Sequence, residues 1–336
     1  MNNKFYKISL YTILFFVILI IVAGLAISTG SEDINFLTVF RVLLQIEQSP
    51  ILRDIIFNIR LPRIILGLAV GGALSIAGLL LQGIFKNPLV EPFTLGISGG
   101  ASLGVSLFTV FNITLFGNYL SLPIAGFCGA FLVVILVYKL GIKNLKLQLT
   151  NVLLIGVMIS FISSSMVMLI MAVSRTSDLH TIIFWLMGNL DEPNTNLILF
   201  TLIVSIIGLL ASFLLSFRLN IFSLGEEQAR SLGIDVEQIK KFVFLLASFL
   251  TGVCVSISGV ISFVGLIIPH LIRMLLGRDN RLLIFTSYFA GGAFLILSDT
   301  IARTVAAPVE LPVGVITGII GGLSFVYFLN QRKVVM

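Results

Sequence analysis

The chain has 336 residues, of which 58% are hydrophobic and 11% are charged, and its mean hydropathy is +1.13. Soluble domains contain about one quarter charged residues, so this composition excludes an ordinary soluble enzyme or binding module and indicates a membrane protein. The formal net charge of +6 is spread over several short polar segments, which argues against nucleic acid as a partner.

Apolar runs of spanning length recur along the whole chain. A helix needs about 20 apolar residues to cross a bilayer, so the runs predict an all-α polytopic membrane protein with about ten transmembrane helices in one domain over residues 1–336. The first run is too long for the apolar part of a typical signal peptide, and we expect a retained span. The predicted spans are 8–28, 62–84, 91–111, 121–140, 151–173, 195–217, 241–258, 260–277, 282–300 and 312–330.

Basic residues predict the orientation of these spans. If both termini are cytoplasmic, 15 of the 21 lysines and arginines lie on the cytoplasmic side and 6 lie on the opposite side. This excess is the positive-inside pattern of membrane proteins. We therefore expect a multi-pass protein of the cell (inner or plasma) membrane with both termini in the cytoplasm.

A short motif occurs twice in the chain. Residues 71–78 (Gly-x-x-x-Ser-Ile-Ala-Gly) are matched by residues 252–259 (Gly-x-x-x-Ser-Ile-Ser-Gly), and a proline follows each copy after ten residues, at Pro88 and Pro269. The two predicted spans are five apart and cross the membrane in opposite directions, which predicts an inverted internal repeat of the kind found in transporters. Coincidence among small residues is the alternative. The predicted repeat halves are roughly 60–217 and 240–330.

Glycines at four-residue intervals form small-residue faces in two predicted spans. Such faces allow helix backbones to approach closely in a bilayer. They predict a compact bundle or a seam between subunits. The glycines are Gly96, Gly100, Gly104, Gly314, Gly318 and Gly322.

The segment Arg218–Lys241 is a polar interruption between two apolar runs. Glu226 and Arg230 have the favourable order for an ion pair four residues apart on a helix, and Gly233 can end that helix. A helix this short and polar cannot form a domain. It is predicted to be a contact for a cytoplasmic partner, and a merely solvated loop is the alternative.

Several sequence blocks together resemble the FecCD or BtuC family, the membrane permease subunits of type II ABC importers for iron-siderophores, haem and vitamin B12. The blocks follow the order of the family from about residue 60 to 330, and their combination is highly specific although each block alone is weak. They are 60–63 (Arg-Leu-Pro-Arg), Gln82, 87–92 (Asn-Pro-Leu-Val-Glu-Pro), 95–101, 225–233, 265–273, 299–303 and 310–314.

The resemblance implies a BtuC-like permease of ten helices that dimerises with a second permease subunit, identical or related, around the translocation pathway. It implies two further partners, a cytoplasmic ABC ATPase dimer that binds ATP and Mg and an extracytoplasmic substrate-binding protein. The chain contains no Gly-x-x-x-x-Gly-Lys-Ser/Thr phosphate loop, which agrees with ATP hydrolysis on another subunit. We expect no catalytic residue, metal or cofactor on this chain. Iron-siderophore complexes are the expected substrate, with haem and cobalamin as the other candidates.

In this family, the segment that matches 218–241 forms coupling helices seated in a groove of the ATPase. Closure of the ATPase dimer would move this segment and tilt the attached spans. The resemblance therefore assigns ATPase coupling to Gly225, Glu226, Glu227, Arg230, Leu232 and Gly233.

The resemblance also implies that arginines dock the acidic residues of the substrate-binding protein. The matching positions are Arg60, Arg63 and Arg303. Arginine suits this role because its planar guanidinium pairs with a carboxylate through two hydrogen bonds. Anchoring at lipid headgroups is the alternative. Asp299 lies four residues before Arg303 and is placed to pair with it.

Serines and methionines of the fifth predicted span fit a polar, pliable wall of the translocation pathway, and helix packing by the same residues is the alternative. The pathway candidates are Ser163, Ser164, Ser165, Met166 and Met168. The two histidines are interpreted as a surface residue, His180, and a structural residue, His270.

Two other functions compete with the importer. An ion-coupled secondary transporter would explain an inverted repeat, but the sequence offers no good ionisable residue at mid-membrane depth for a coupling ion. An intramembrane serine protease is suggested by Gly-Ile-Ser-Gly at 96–99, with Ser98 as nucleophile and His270 as base.

Overall fold

The computed structural model describes residues 2–30, 34–44, 46, 49–115 and 118–331. They form α-helices joined by short connections and one small hairpin. The helices are α1 (Asn2–Ser28), α2 (Phe36–Leu43), α3 (Pro50–Asp54), α4 (Leu61–Phe85), α5 (Ile97–Val110), α6 (Asn118–Gly141), α7 (Leu149–Val173), α8 (Thr176–Met187), α9 (Thr195–Phe222), α10 (Glu226–Ser231), α11 (Val236–Ser258), α12 (Val264–Leu276), α13 (Asn280–Thr304) and α14 (Val313–Gln331). A π-helical turn (Ile55–Arg60) precedes α4, a 3-10 turn (Pro92–Leu95) precedes α5, and β1 (Ile142–Lys143) pairs antiparallel with β2 (Lys146–Leu147).

Each of the ten predicted spans corresponds to one helix, which confirms the prediction of an all-α polytopic protein with about ten apolar helices. Within the described residues, seven helical segments are long and apolar enough to cross a membrane. The predicted lengths of two other spans are wrong, because α5 has 14 residues and α12 has 13. Helices of this length fall short of the about 20 residues that a full crossing requires.

Breaks in the backbone explain why α5 and α12 are short. Before α5, Pro92 lies in the 3-10 turn and Gly96 has a φ of +83°. Directly before α12, Phe263 has a φ of +69°, a left-handed conformation that a regular helix does not contain. The two breaks lie against each other, since the backbone N–H of Phe263 donates to the carboxylate of Glu91 and the Pro92 ring lies beside Gly265.

The repeated motif occupies different positions in its two helices. Residues 71–78 lie in the middle of α4, whereas residues 252–259 end α11, because Gly259 follows its last residue. Pro88 lies in the connection after α4, and Pro269 lies inside α12. A broken segment and a short helix follow both copies, and the inverted repeat stays a prediction.

Helix α4 forms the centre of the bundle. It is buried along most of its length and packs against α9, α11, α12 and α13. Small residues make these contacts close: a Cβ atom at Gly71 would lie 2.3 Å from the carbonyl oxygen of Gly291, and one at Gly78 would overlap the backbone of Gly265. Close backbone approach supplies packing energy where lipid provides no hydrophobic driving force between helices.

The predicted small-residue faces divide into two kinds. Gly100 and Gly104 pack directly on the backbone of α6, at Gly129 and Ala125, which confirms their predicted role in close packing. In α14, Gly314 packs against Met187, but a Cβ atom at Gly318 would have no neighbour within 4 Å. Gly318 is therefore not used for close packing among the described residues, whereas a Cβ atom at Gly322 would lie 3.9 Å from the ring of Phe263.

The bundle has two polar ends, which hold the two sets of predicted site residues. The end that carries α10 and the hairpin is called the α10 end. The end that carries Arg63, α8 and the connection between α13 and α14 is called the Arg63 end.

Candidate functional site

Backbone geometry defines both ends of helix α10. Gly225, before the helix, has a φ of +137°, and Gly233, after it, has a φ of +81°. The N–H groups of Gly233 and Ile234 donate to the carbonyl oxygens of Arg230 and Ala229 at 2.9 and 3.0 Å. This pair of bonds is the Schellman pattern that a C-terminal glycine permits. The predicted short helix with its stop at Gly233 is confirmed.

The charged side chains of α10 pair with α11. Glu226 Oε1 lies 2.8 Å from Lys240 Nζ, and Arg230 Nη2 lies 3.7 Å from Glu237 Oε1. The predicted pair between Glu226 and Arg230 is wrong, because each has an ionic partner on α11 and no ion pair joins them in the described structure. The side chain of Lys240 is only 8% exposed, and a buried ammonium group requires a carboxylate partner more strongly than a surface group does.

Two exposed leucines flank helix α10. Leu224, just before the helix, is 62% exposed, and Leu232, at its end, is 61% exposed. Glu227 lies between them and is also exposed. Leu232 is one of the predicted coupling residues, whereas Leu224 was missed. The sequence does contain a clue to its exposure, because Leu224 is an apolar residue directly before Gly225 in a polar segment.

Glu237 of α11 contacts both α10 and the hairpin between α6 and α7. The backbone N–H of Leu147 in β2 donates to Glu237 Oε2 at 2.9 Å, and the other oxygen of Glu237 faces Arg230 and Lys240. A cavity of about 420 Å³ lies between the hairpin, the end of α4 and α10. Glu237 thus holds two surface elements in a fixed relation, a role that could not be predicted from local sequence.

At the opposite end, the three predicted docking arginines are buried. Arg60, Arg63 and Arg303 are 3%, 6% and 6% exposed. Arg60 Nη1 donates to the carbonyl oxygen of Ile27, and Arg303 Nε donates to Asp299 Oδ2 at 2.9 Å, as expected from their spacing. Burial with protein partners does not fit the alternative of side chains extended to lipid headgroups. Docking through these arginines stays a prediction.

Arg63 binds two carboxylates from different connections. Its Nη2 lies 3.1 Å from Asp191 Oδ1 and 2.9 Å from Glu310 Oε2, and its Nη1 donates to the same Glu310 oxygen at 2.9 Å. Asp191 lies between α8 and α9, and Glu310 lies between α13 and α14. Their side chains are 69% and 52% exposed. Neither acid was predicted as a site residue, because the contacts join residues that are far apart in sequence.

A cavity of about 220 Å³ lies over this cluster, lined in part by Arg63, Asp191, Asp299, Arg303 and Glu310. Two of its guanidinium nitrogens, Arg63 Nε and Arg303 Nη2, are buried and have no hydrogen-bond partner among the described residues. The basic groups therefore lie beneath the surface, and the exposed groups on the rim are acidic.

Glu192 follows Asp191 in the connection between α8 and α9. Burial raises the pKa of Glu192, the neighbouring Asp191 raises it further, and a hydrogen bond from the backbone N–H of Asn194 opposes the rise.

The predicted pathway residues of α7 fall on two faces. Ser163 is buried beside Gly99 of α5, so it packs the two helices, as the alternative interpretation holds. Ser164, Ser165, Met166 and Met168 are exposed on the outer face of α7. Their place along the pathway stays a prediction.

The histidines give no support to a catalytic or metal site. His180 is exposed and stacks on Phe184, with ring centroids 4.3 Å apart. Ser98 lies on α5, which packs against α6 and α7, whereas His270 lies on α12, which packs against α4 and α13. Over the described part of the chain, no group of three or more His, Cys, Asp or Glu side chains could hold a metal ion.

Comparison with known proteins identifies the family. The model of the FecCD transport family matches residues 17–331. The chain belongs to the FecCD transport family. It is 34% identical to the molybdate import system permease protein MolB of Haemophilus influenzae, with 85% of this chain and 86% of that protein covered. It is also 34% identical to the hemin transport system permease protein HmuU of Yersinia pestis, with 95% of each chain covered.

A solved structure has the same fold. It is described as an inward-facing ABC transporter of the metal-chelate type, is 32% identical, and superposes with a TM-score of 0.83 over 95% of this chain and 98% of the other.

Family membership defines the biochemical role. The chain is a permease subunit of an ABC importer of the FecCD type. It is a transport subunit rather than an enzyme, and ATP hydrolysis in such importers belongs to separate ATPase subunits. This role replaces the intramembrane protease and the ion-coupled carrier that the sequence left open.

Proposed function

We propose that this chain forms one half of a translocation pathway for metal-chelate complexes, most specifically iron-siderophores. A second permease subunit completes the pathway, a cytoplasmic ATPase dimer drives it with ATP and Mg bound to the ATPase, and an extracytoplasmic substrate-binding protein supplies the substrate. The chain itself binds no cofactor. It lies in the cell membrane with both termini and the α10 end in the cytoplasm, in line with the distribution of basic residues.

The proposal rests mainly on how α10 is held in the structure and on the apolar residues that flank it. Ion pairs to α11 and the Schellman turn fix its orientation, so a force applied to α10 passes directly to α11 and its neighbours. Leu224 and Leu232, just before and just after α10, supply two exposed apolar anchors, and the exposed Glu227 lies between them in the sequence. A small apolar core with a polar rim is the usual composition of a protein interface.

The names of two similar proteins favour a metal chelate as the substrate. HmuU is a hemin permease, and the structural match is of the metal-chelate type, whereas MolB transports molybdate. Haem and cobalamin are the nearest alternatives to an iron-siderophore, and molybdate is the alternative of a different chemical class.

Substrate uptake tests this proposal. Cells that lack their own FecCD-type permeases would receive this chain together with its ATPase and substrate-binding protein, and uptake of labelled ferric siderophore, haemin, cobalamin and molybdate would be compared. We expect uptake of ferric siderophore only, and loss of that uptake in a Leu232→Asp variant. Uptake of molybdate alone would contradict a metal-chelate substrate.

A further inference from the structure

We propose that Asp191 and Glu310 hold Arg63 in a self-paired state, and that docking replaces their carboxylates with carboxylates of the partner. The inference rests on the proposed function for the identity of that partner, the substrate-binding protein. It adds a competition between the acids of this chain and those of the partner for one buried arginine.

The difference in burial between the partners makes this exchange possible. Arg63 is 6% exposed, so the loss of its ion pairs without replacement would leave a buried charge poorly compensated. The side chains of Asp191 and Glu310 are 69% and 52% exposed, so water solvates them well once they are released. An exposed acid therefore depends less on the pair than the buried guanidinium does. The guanidinium therefore requires a carboxylate, but it does not require these two.

The present pairing leaves hydrogen-bonding capacity unused. Arg63 offers Nη1 and Nη2 to the two acids, while its Nε has no partner among the described residues. Arg303, which lines the same cavity, pairs through Nε with Asp299, while its Nη2 has no partner within that part of the chain. A carboxylate that approaches with a different geometry can satisfy donors that Asp191 and Glu310 leave unpaired.

The location of the two acids fits displacement. Both lie in connections between helices, on either side of the cavity of about 220 Å³ over Arg63. In the self-paired state their charges face outward and repel an acidic partner. Once the carboxylates of the partner have replaced Asp191 and Glu310, Arg63 pairs with the partner instead. Asp191 and Glu310 would thus weaken docking and set its affinity to a reversible level.

The test compares two double variants that remove equal charge. Asp191→Asn with Glu310→Gln removes the competitors of the partner. Asp54→Asn with Asp178→Asn removes two acids from the same end, where the described structure pairs neither with Arg63. The permease with its ATPase would be held in lipid nanodiscs, and its substrate-binding protein titrated at 0.5 M salt. At this concentration the Debye length is about 4 Å, so long-range effects of the lost charges are largely screened.

The expected result is a dissociation constant about 3- to 10-fold lower for the Asp191 and Glu310 variant, and an unchanged constant for the control variant. Equal or weaker binding by the Asp191 and Glu310 variant would overturn the exchange. Replacement of both acids leaves Asp299 as the nearby carboxylate that still acts on Arg63. Monodisperse elution and an unchanged melting temperature would verify that the variant keeps its fold.

An Arg63→Gln variant separates the exchange from docking itself. Weaker binding by this variant, combined with unchanged binding by the Asp191 and Glu310 variant, would overturn the exchange and leave docking at Arg63 in place. Unchanged binding by Arg63→Gln would overturn both. Arg63→Lys keeps the charge and loses the fork of the guanidinium, so intermediate binding is expected and would show that geometry contributes.

Discussion

Single glycines determine how closely α4 approaches its neighbours. Gly78 is the clearest case, because a Cβ atom there would lie 1.8 Å from the carbonyl oxygen of Gly265. The contact is with backbone, which cannot rotate away as a side chain can. Gly78 therefore fixes the distance between α4 and the start of α12, next to the contact between Glu91 and Phe263.

We predict that Gly78→Ala forces α4 and α12 apart and destabilises the protein by about 1–3 kcal/mol, the usual range for overpacking. The matched control is Gly83→Ala on the same helix, where nothing lies within 4 Å of the added carbon. Thermal unfolding in detergent would measure both. A melting temperature of Gly78→Ala equal to that of Gly83→Ala would contradict the proposed contact.

The three arginines predicted to dock the substrate-binding protein illustrate what a sequence can reveal at this scale. Their positions followed from sequence blocks, and the pair between Arg303 and Asp299 followed from helical spacing. The partners of Arg63 could not be predicted, because Glu310 is 247 residues away in the chain and no local rule links the two. Burial was also unforeseen, since a charged residue at the end of a span is ordinarily expected at the surface.

Helix α10 shows how a short element acquires a fixed orientation. Six residues with one turn of hydrogen bonds are too few to be stable alone. The Schellman turn and the ion pairs to α11 supply the missing stability. The composition of the segment predicted the helix and its end, whereas the pairing of Glu226 with Lys240 depended on how the chain folds back after Gly233.

We predict that Leu224→Asp with Leu232→Asp abolishes stimulation of ATP hydrolysis by substrate-loaded binding protein, because charge replaces both apolar anchors. The permease should still fold, since both side chains are mostly exposed. Leu145→Asp is the control, because Leu145 is 84% exposed in the hairpin at the same end. If Leu145→Asp abolished the stimulation of ATP hydrolysis as well, the result would contradict a specific role for Leu224 and Leu232.

The short helices α5 and α12 show that hydropathy alone does not predict where a helix begins. Their apolar runs extend beyond the helices, so the predicted spans 91–111 and 260–277 were too long. Apolar residues continue through the breaks because these segments are buried within the bundle. Backbone conformation at positions such as Gly96 and Phe263 distinguishes the break from the helix, and average hydropathy does not record it.

In the whole molecule, a buried and closely packed centre joins two polar ends that bear different charges. Helix α4 runs from Arg63 at one end to the connection beside α10 at the other, and α11 begins at α10 and packs along α4. Force applied at α10 therefore has a direct route through packed helices to the Arg63 end. This arrangement suits a permease in which ATP hydrolysis on one side controls access on the other.

ATP-driven transport in proteoliposomes tests the central claim most directly. The vesicles would contain this chain, its permease partner and the ATPase subunits, with loaded binding protein added on the side of the Arg63 end. We predict uptake that requires ATP on the side of the α10 end, is blocked by vanadate and persists when ionophores collapse all ion gradients. Uptake that proceeds without ATP and follows an imposed ion gradient would contradict it.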